Sequence, residues 1–272
     1  EYGGVYITHL RYILPDRGIH LDESEDPEKV HEALEIGRRS GVKIHFSHFR
    51  TDAQNAGQID LLMANVDKGK SEGIDCTLEL YPYPTGSGAP FVFLPDWASE
   101  GGPDSVISFL RSPQARARIV SFLNDTAGPS LAASIISYVP SGKNDALLGL
   151  SFADIADDRG VSLGDLTCDL LLEENLAVGI WWTPPDSASS WDQVSKDCIE
   201  LLSRPDYMIG SDSITSHTLP HPRAFGSFPR CFRLLRHHPI MSIEQMVQRM
   251  TDNPAKRFGL ENRGQVRQGY YA

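Results

Sequence analysis

The sequence predicts an α/β fold built on a parallel sheet, and three observations carry that prediction. A unit of short apolar strand, polar loop and amphipathic helix recurs through residues 1–87, the rhythm of right-handed βαβ crossovers. Glycines close the helices where the apolar period stops. Residues able to do chemistry stand where strands run out, which is where α/β proteins build their sites.

Val5–Thr8 reads as a central strand bounded by Gly3-Gly4, and it delivers His9 and Arg11. Asp26-Pro27 supplies an N-cap followed by proline at the first helical position. The helix behind it places Val30, Ala33, Leu34 and Gly37 on one face, and Gly41 ends it. A strand over residues 42–47 delivers His48 and Arg50. A second helix buries Ile59, Leu62, Met63 and Val66 and stops at Gly73. A third strand, residues 74–80, runs into Tyr81-Pro82-Tyr83-Pro84-Thr85-Gly86-Ser87.

From residue 88 to 175 the rhythm breaks. Residues 91–97 read as an apolar loop, 104–110 and 114–123 as short helices, 134–139 and 147–152 as short strands, and 163–174 as a helix. Such a stretch is expected to form an insertion, as a lid or pocket wall. The rhythm resumes at residues 176–183, whose Trp181-Trp182 pair reads as core. A helix over residues 190–203 buries Trp191, Val194, Cys198 and Leu201. Tyr207-Met208-Ile209 is a buried strand stopped by Gly210-Ser211-Asp212, and a loop ending in His221-Pro222-Arg223 leads into a helix at 225–237. Ser242 and Gln245 make a capping box for a helix that buries Ile243, Met246, Val247 and Met250.

Composition narrows the partners. A net charge of −11 over 272 residues argues against nucleic acid or an anionic membrane surface. No apolar run approaches the ~20 residues of a membrane span, and no signal-peptide pattern is present. Cys76, Cys168, Cys198 and Cys231 are scattered without a CxxC pair, which points to a reduced, cytoplasmic compartment and to neither a disulfide framework nor a zinc ribbon. Both ends read as cut: a strand starts at Val5 with no element before it, and Gly269-Tyr270-Tyr271-Ala272 reads as the start of another.

His9 and His48 follow strands in consecutive units, so a barrel would set both imidazoles side by side on one rim. Neutral imidazole is a common zinc ligand, and a catalytic zinc needs three protein ligands and an open position. Each histidine alone fits a hydrogen-bonding loop residue as well; Asp212 at a further strand end strengthens the metal reading. Asp212 and Arg223 fit a general base and an anion clamp, or else a turn cap and a surface charge. Tyr81 and Ser87 could donate to a substrate carbonyl, although Tyr-Pro turns are also structural punctuation. His31, on an exposed helix face, and His45, inside a strand, fall outside the pattern.

Taken in order, Thr8-His9-Leu10-Arg11, Ser47-His48, Tyr81-Pro82-Tyr83, Gly210-Ser211-Asp212, His221-Pro222-Arg223 with Gly226-Ser227-Phe228-Pro229-Arg230, and Met250-Thr251 leading to Pro254-Ala255 and Arg257-Phe258-Gly259-Leu260 resemble the N-acyl-D-amino-acid deacylases (D-aminoacylases) of the amidohydrolase superfamily. So does Arg263-Gly264 running into Gly269-Tyr270. The resemblance is weakest between residues 88 and 175. It implies a partial (β/α)8 TIM barrel of the metal-dependent hydrolase type, strands five to eight, divided into barrel units at 1–87, an insertion at 88–175 and remaining barrel units at 176–272.

By the same resemblance His9 and His48 are ligands of one or two zinc ions, with the remaining ligands expected upstream of residue 1. Asp212 matches the general base and acid, Arg223 the arginine that holds the substrate carboxylate, and Tyr81 and Ser87 residues near the carbonyl and carboxylate. The implied substrate is an N-acyl-D-amino acid, cleaved at its amide to a carboxylate and a D-amino acid. The chain departs from the family pattern at Glu79, where Asp is usual, at Arg50, where Lys is usual, and in having no cysteine at a matching position. Four strands cannot close an eight-stranded barrel, so a second copy of the chain or a missing N-terminal half is expected to cover the open sheet. The alternatives are another amidohydrolase reaction, on a dipeptide or cyclic amide, or an inactive fragment that serves as a folded or oligomeric module.

Overall fold

The computed structural model describes residues 3–10, 27–182, 185–214 and 218–271. Arg11, His20, Asp26, Thr183 and Ala272 lie outside the described residues. The described strands are β1 (Val5–Thr8), β2 (Lys43–Phe46), β3 (Cys76–Leu80), β4 (Ser87–Gly88), β5 (Ile135–Tyr138), β6 (Gly179–Trp181) and β7 (Tyr207–Ile209). β1, β2, β3 and β7 form one parallel sheet in that order. Thr8 stands opposite Phe46, Phe46 opposite Leu78, and Leu78 opposite Tyr207. Because all four strands run the same way, their carboxyl ends share one rim, where His9, His48, Tyr81 and Asp212 follow.

One face of this sheet is sealed by helices. Ile44, Phe46, Leu78, Leu80 and Tyr207 are fully buried, and Val30, Leu34, Met63, Val66 and Leu201 pack in the same cluster. Each large apolar side chain taken out of water there contributes about 1.5–3 kcal/mol. Helix Pro27–Ser40 approaches closely because Gly37 leaves room: a Cβ on it would come within 2.9 Å of Ile44 and Ile74. Tyr207 carries a hydroxyl into this core, and its Oη donates to the Phe49 carbonyl at 3.0 Å. That bond ties the loop after β2 to the strand that leads to Asp212. The loop is pinned a second time by buried Asp197 on helix Ala188–Ser203, which accepts from Thr51 Oγ1 at 2.6 Å and Gly57 N at 2.7 Å.

The other face carries Ile7, His45 and Thr77 in one register row and Glu79 beside Met208 in the next. His45 is buried there, with Nδ1 2.7 Å from Thr77 Oγ1 and Phe258 edge-on against its ring. Ile7 remains 55 % exposed. Val5–Thr8 was expected to be a central strand; it stands at the edge of the described sheet instead.

The segment between β3 and β7 builds a second layer with its own core. β4, β6 and β5 form an antiparallel sheet, in which Ser87 faces Trp181 and Ile136 faces Ile180. Helices Pro103–Arg111, Pro113–Phe122, Phe152–Arg159 and Leu163–Glu173 lie in this segment, and Leu110, Ile119, Phe152, Leu166 and Ile180 pack in one cluster.

Several expectations are corrected here. The run at 176–183 does not resume the parallel sheet: Gly179–Trp181 is the middle strand of the second sheet, and Val178 and Ile180 pack in the second core. An apolar run satisfies either environment, so hydrophobicity alone could not assign it. Residues 147–152 form no strand but the end of a short 3-10 turn, a single bridge at Ser151 and the start of helix Phe152–Arg159, which Ser151 caps. Helix Ile243–Met250 has the expected capping box, yet Ile243 and Val247 are exposed and Met246 and Arg249 are the buried positions. Arg249 anchors that helix by donating to the carbonyls of Leu202 and Ser203. Trp191 is half-buried, not core, and residues 269–271 form no strand.

Candidate active site

Backbone geometry at two strand ends aims the chemistry. His48 has φ 40° and Asp212 φ 45°, the left-handed region that non-glycine residues enter at a cost of about 1–3 kcal/mol. Neighbouring bonds enforce it at His48: Ser47 N donates to Thr8 O at 2.9 Å, and Phe49 N to Glu79 O at 2.8 Å. Before Asp212, Gly210 N donates to Leu80 O at 3.0 Å. Gly210 lies against the Glu79 carboxylate, which would have to shift to admit a Cβ there.

The two imidazoles meet edge to face, with centroids 4.5 Å apart and His9 Nδ1 2.5 Å from His48 Nε2. Burial pushes the His48 pKa down to about 4, with His9, Arg50 and Arg223 adding and Glu79 opposing. Burial also lowers His9, against the pull of Asp212. Both shifts favour the neutral ring near pH 7.

Arg223 opens helix Arg223–His237 and is only 2 % exposed. Its main-chain N donates to His221 Nδ1 at 3.1 Å, and its carbonyl accepts from Ser227 Oγ at 2.9 Å. Nη1 lies 2.7 Å from Asp212 Oδ2, and Nη2 donates to Ser87 Oγ at 3.1 Å. Burial raises the Asp212 carboxyl above its usual range, with Arg223 opposing and Glu79 reinforcing. Two cations lie against the Tyr81 ring, Arg223 at 4.6 Å and Arg50 at 4.7 Å from its centre. Arg50 Nη1 donates to Thr51 O at 2.7 Å and Nη2 to Tyr81 Oη at 3.3 Å.

All six residues singled out in the sequence, His9, His48, Tyr81, Ser87, Asp212 and Arg223, line one cavity of about 320 Å³. Arg50, Val92 and Trp182 line it too. Arg50 follows the strand expected at 42–47 and departs from the family pattern, but no role in the site was expected for it. Trp182, expected in the core, does pack against the second core and also lines the cavity; its neighbour Trp181 is half-buried, with Nε1 donating to Leu219 O at 3.0 Å. The loop position expected for Arg223 is corrected to the first turn of a helix, where burial and Tyr81 hold its direction.

A tetrahedral zinc holds two imidazole nitrogens about 3.3 Å apart, so His9 and His48 would have to part by roughly 1 Å to share one. Their facing nitrogens and neutral state fit a metal. Among the described residues no group of three His, Cys, Asp or Glu side chains completes such a site. The cysteines do not contribute: all four are buried, and burial pushes Cys76 and Cys198 up to about 11, keeping them as thiols.

No protein-family model matches the chain. Among curated proteins it is 26% identical over 272 residues to an N-acyl-D-glutamate deacylase of Alcaligenes xylosoxydans xylosoxydans, across 99% of this chain and 44% of that protein. A D-aminoacylase of the same organism is 26% identical over 273 residues, across 100% of this chain and 44% of its own length. Among solved structures it is similar, with a TM-score of 0.67 and 25% identity, to the N-acyl-D-glutamate deacylase of Bordetella bronchiseptica in complex with zinc and a phosphonate mimic of the tetrahedral intermediate. That match covers 98% of this chain and 45% of the other. A D-aminoacylase studied for its binuclear metal centre matches with a TM-score of 0.67 at 27% identity, over 99% of this chain and 45% of the other. The chain thus spans under half the length of the relatives it matches.

Proposed function

We propose that this chain supplies barrel strands five to eight of a zinc-dependent N-acyl-D-amino-acid deacylase, which cleaves the amide to a carboxylate and a D-amino acid. The observation that carries the reading is the convergence of His9, His48, Asp212 and Arg223 on one cavity, in a chain similar along its length to such deacylases. His9 and His48 would hold one zinc, and the remaining ligand or ligands would come from residues other than those described. When bound, zinc supplies Lewis acidity, polarising a carbonyl and making water nucleophilic near neutral pH.

The chain's own residues do the rest. Asp212 takes the proton of the attacking water and returns it to the departing amine, a double task that suits its raised pKa. Tyr81 Oη donates to the carbonyl oxygen as charge develops there. Arg223, with Ser87 beside it, seats the substrate carboxylate and so fixes which face of the amide meets the water. Ile7, exposed on the edge strand, supports a further segment or a second copy covering that side of the sheet. No described helix is long and apolar enough to cross a membrane, and four unpaired, buried cysteines support a cytoplasmic site.

Hydrolysis assays with N-acyl-D-amino acids, their L-enantiomers, dipeptides and hydantoins test this reading. Turnover of the D-series alone is expected. A preference for dipeptides or hydantoins would replace the proposed reaction with another amide hydrolysis, and no turnover of any amide would leave a binding module.

A further inference from the structure

The carbon that bears the substrate carboxylate also bears the acylated nitrogen and the side chain. If the carboxylate sits at Arg223 and the acyl carbonyl reaches toward His9 and His48, the side chain must take the third direction. Gly86 marks the wall beside the carboxylate seat. A Cβ on it would be 2.8 Å from Tyr81 Oη, 3.5 Å from Arg223 Nη1 and 3.0 Å from Trp182 Cδ1. The indole therefore stands directly beside the carboxylate seat.

Trp182 is held rigidly. Its N donates to Gly86 O at 3.0 Å, and its carbonyl accepts from Thr85 Oγ1 at 2.7 Å. Gly88 lies under the six-membered ring, where a Cβ would come within 2.7 Å of Cζ2. Buried Phe93 packs edge-on behind it, with centroids 5.4 Å apart. Val92 lines the cavity as well. Among the described lining residues the cations are Arg223 and Arg50, and Arg50 donates to the Thr51 carbonyl and to Tyr81 Oη. Among the described residues, the cation set beside Gly86 and the indole is Arg223, and the α-carboxylate takes it, so a side-chain carboxylate there would lose its water without a counter-ion of its own.

Resting on the deacylase reading, we infer that the preferred D-amino acid carries an uncharged, apolar side chain seated against Trp182 and Val92. The test is the ratio of kcat/KM for N-acetyl-D-leucine to that for N-acetyl-D-glutamate, measured on the zinc-loaded protein. The expected ratio is at least about 10. Trp182→Ala should bring it below about 3 by slowing the leucine substrate, and Val92→Lys should raise the glutamate value about 10-fold by placing a cation on the wall. Thermal melts establish that each variant is folded. Preference for glutamate in the unaltered protein would overturn the inference and leave the deacylase reading standing, as would a ratio that neither folded variant moves. Turnover of neither substrate, nor of any other N-acyl-D-amino acid, would overturn both.

Discussion

Arg223 makes two contacts with one guanidinium, to Asp212 and to Ser87. On the proposed reading a substrate carboxylate competes with Asp212 for the same donors, so its binding would release the base. Lysine cannot reproduce the planar fork, and Arg223→Lys should raise KM by at least about 10-fold while kcat falls less. Steady-state kinetics check this; an unchanged KM would mean that the carboxylate binds elsewhere. His221, beneath Arg223, makes a separate prediction. Burial, with Arg223 and Arg50, pushes its pKa down to about 4, whereas the unfolded chain takes up that proton near pH 6.5. Its contribution is thus fully present above pH ~6.5 and is lost as the pH falls toward 4, by roughly 2–3 kcal/mol. Urea unfolding at pH 7.5 and 4.5 should show a smaller acid-induced loss in His221→Asn than in the unaltered protein; equal losses would contradict it. At this scale His9, His48 and Asp212 were legible because each follows a short apolar strand. That Trp182, packed on the second core, also walls the pocket was not legible, since the neighbours that decide it lie across space, here Gly86 and Gly88.

Among the elements, the register of β3 and β7 positions the base. Tyr207 opposes Leu78 and sends its hydroxyl to the Phe49 carbonyl, one residue beyond His48. Tyr207→Phe leaves that buried carbonyl without its donor and should cost about 1–3 kcal/mol. Chemical denaturation measures the loss, and a change under about 0.3 kcal/mol would show that the bond holds nothing in place. The helices at 27–40 and 59–71 were legible from their 3.6-residue apolar period, and their expected inward faces are buried. Strand assignment in the 176–183 run failed because three buried apolar residues carry no record of whether their partners run parallel or antiparallel. The exposed Ile243 and Val247 show the converse: an amphipathic period marks a face, and only a packing partner buries it.

For the molecule as a whole, a parallel sheet with an exposed edge strand carries the cavity at its carboxyl rim. Two neutral imidazoles face each other, a raised carboxylate stands beside an arginine, and the described residues supply no further ligand. The relatives are more than twice as long, and the sheet order said nothing about what meets the edge of β1. The most direct test is metal analysis of the purified protein and of His9→Ala and His48→Ala, with circular dichroism as the check on folding. Stoichiometric zinc in the unaltered protein and its loss from both folded variants is the predicted result; zinc retained by either variant, or never bound, would contradict it.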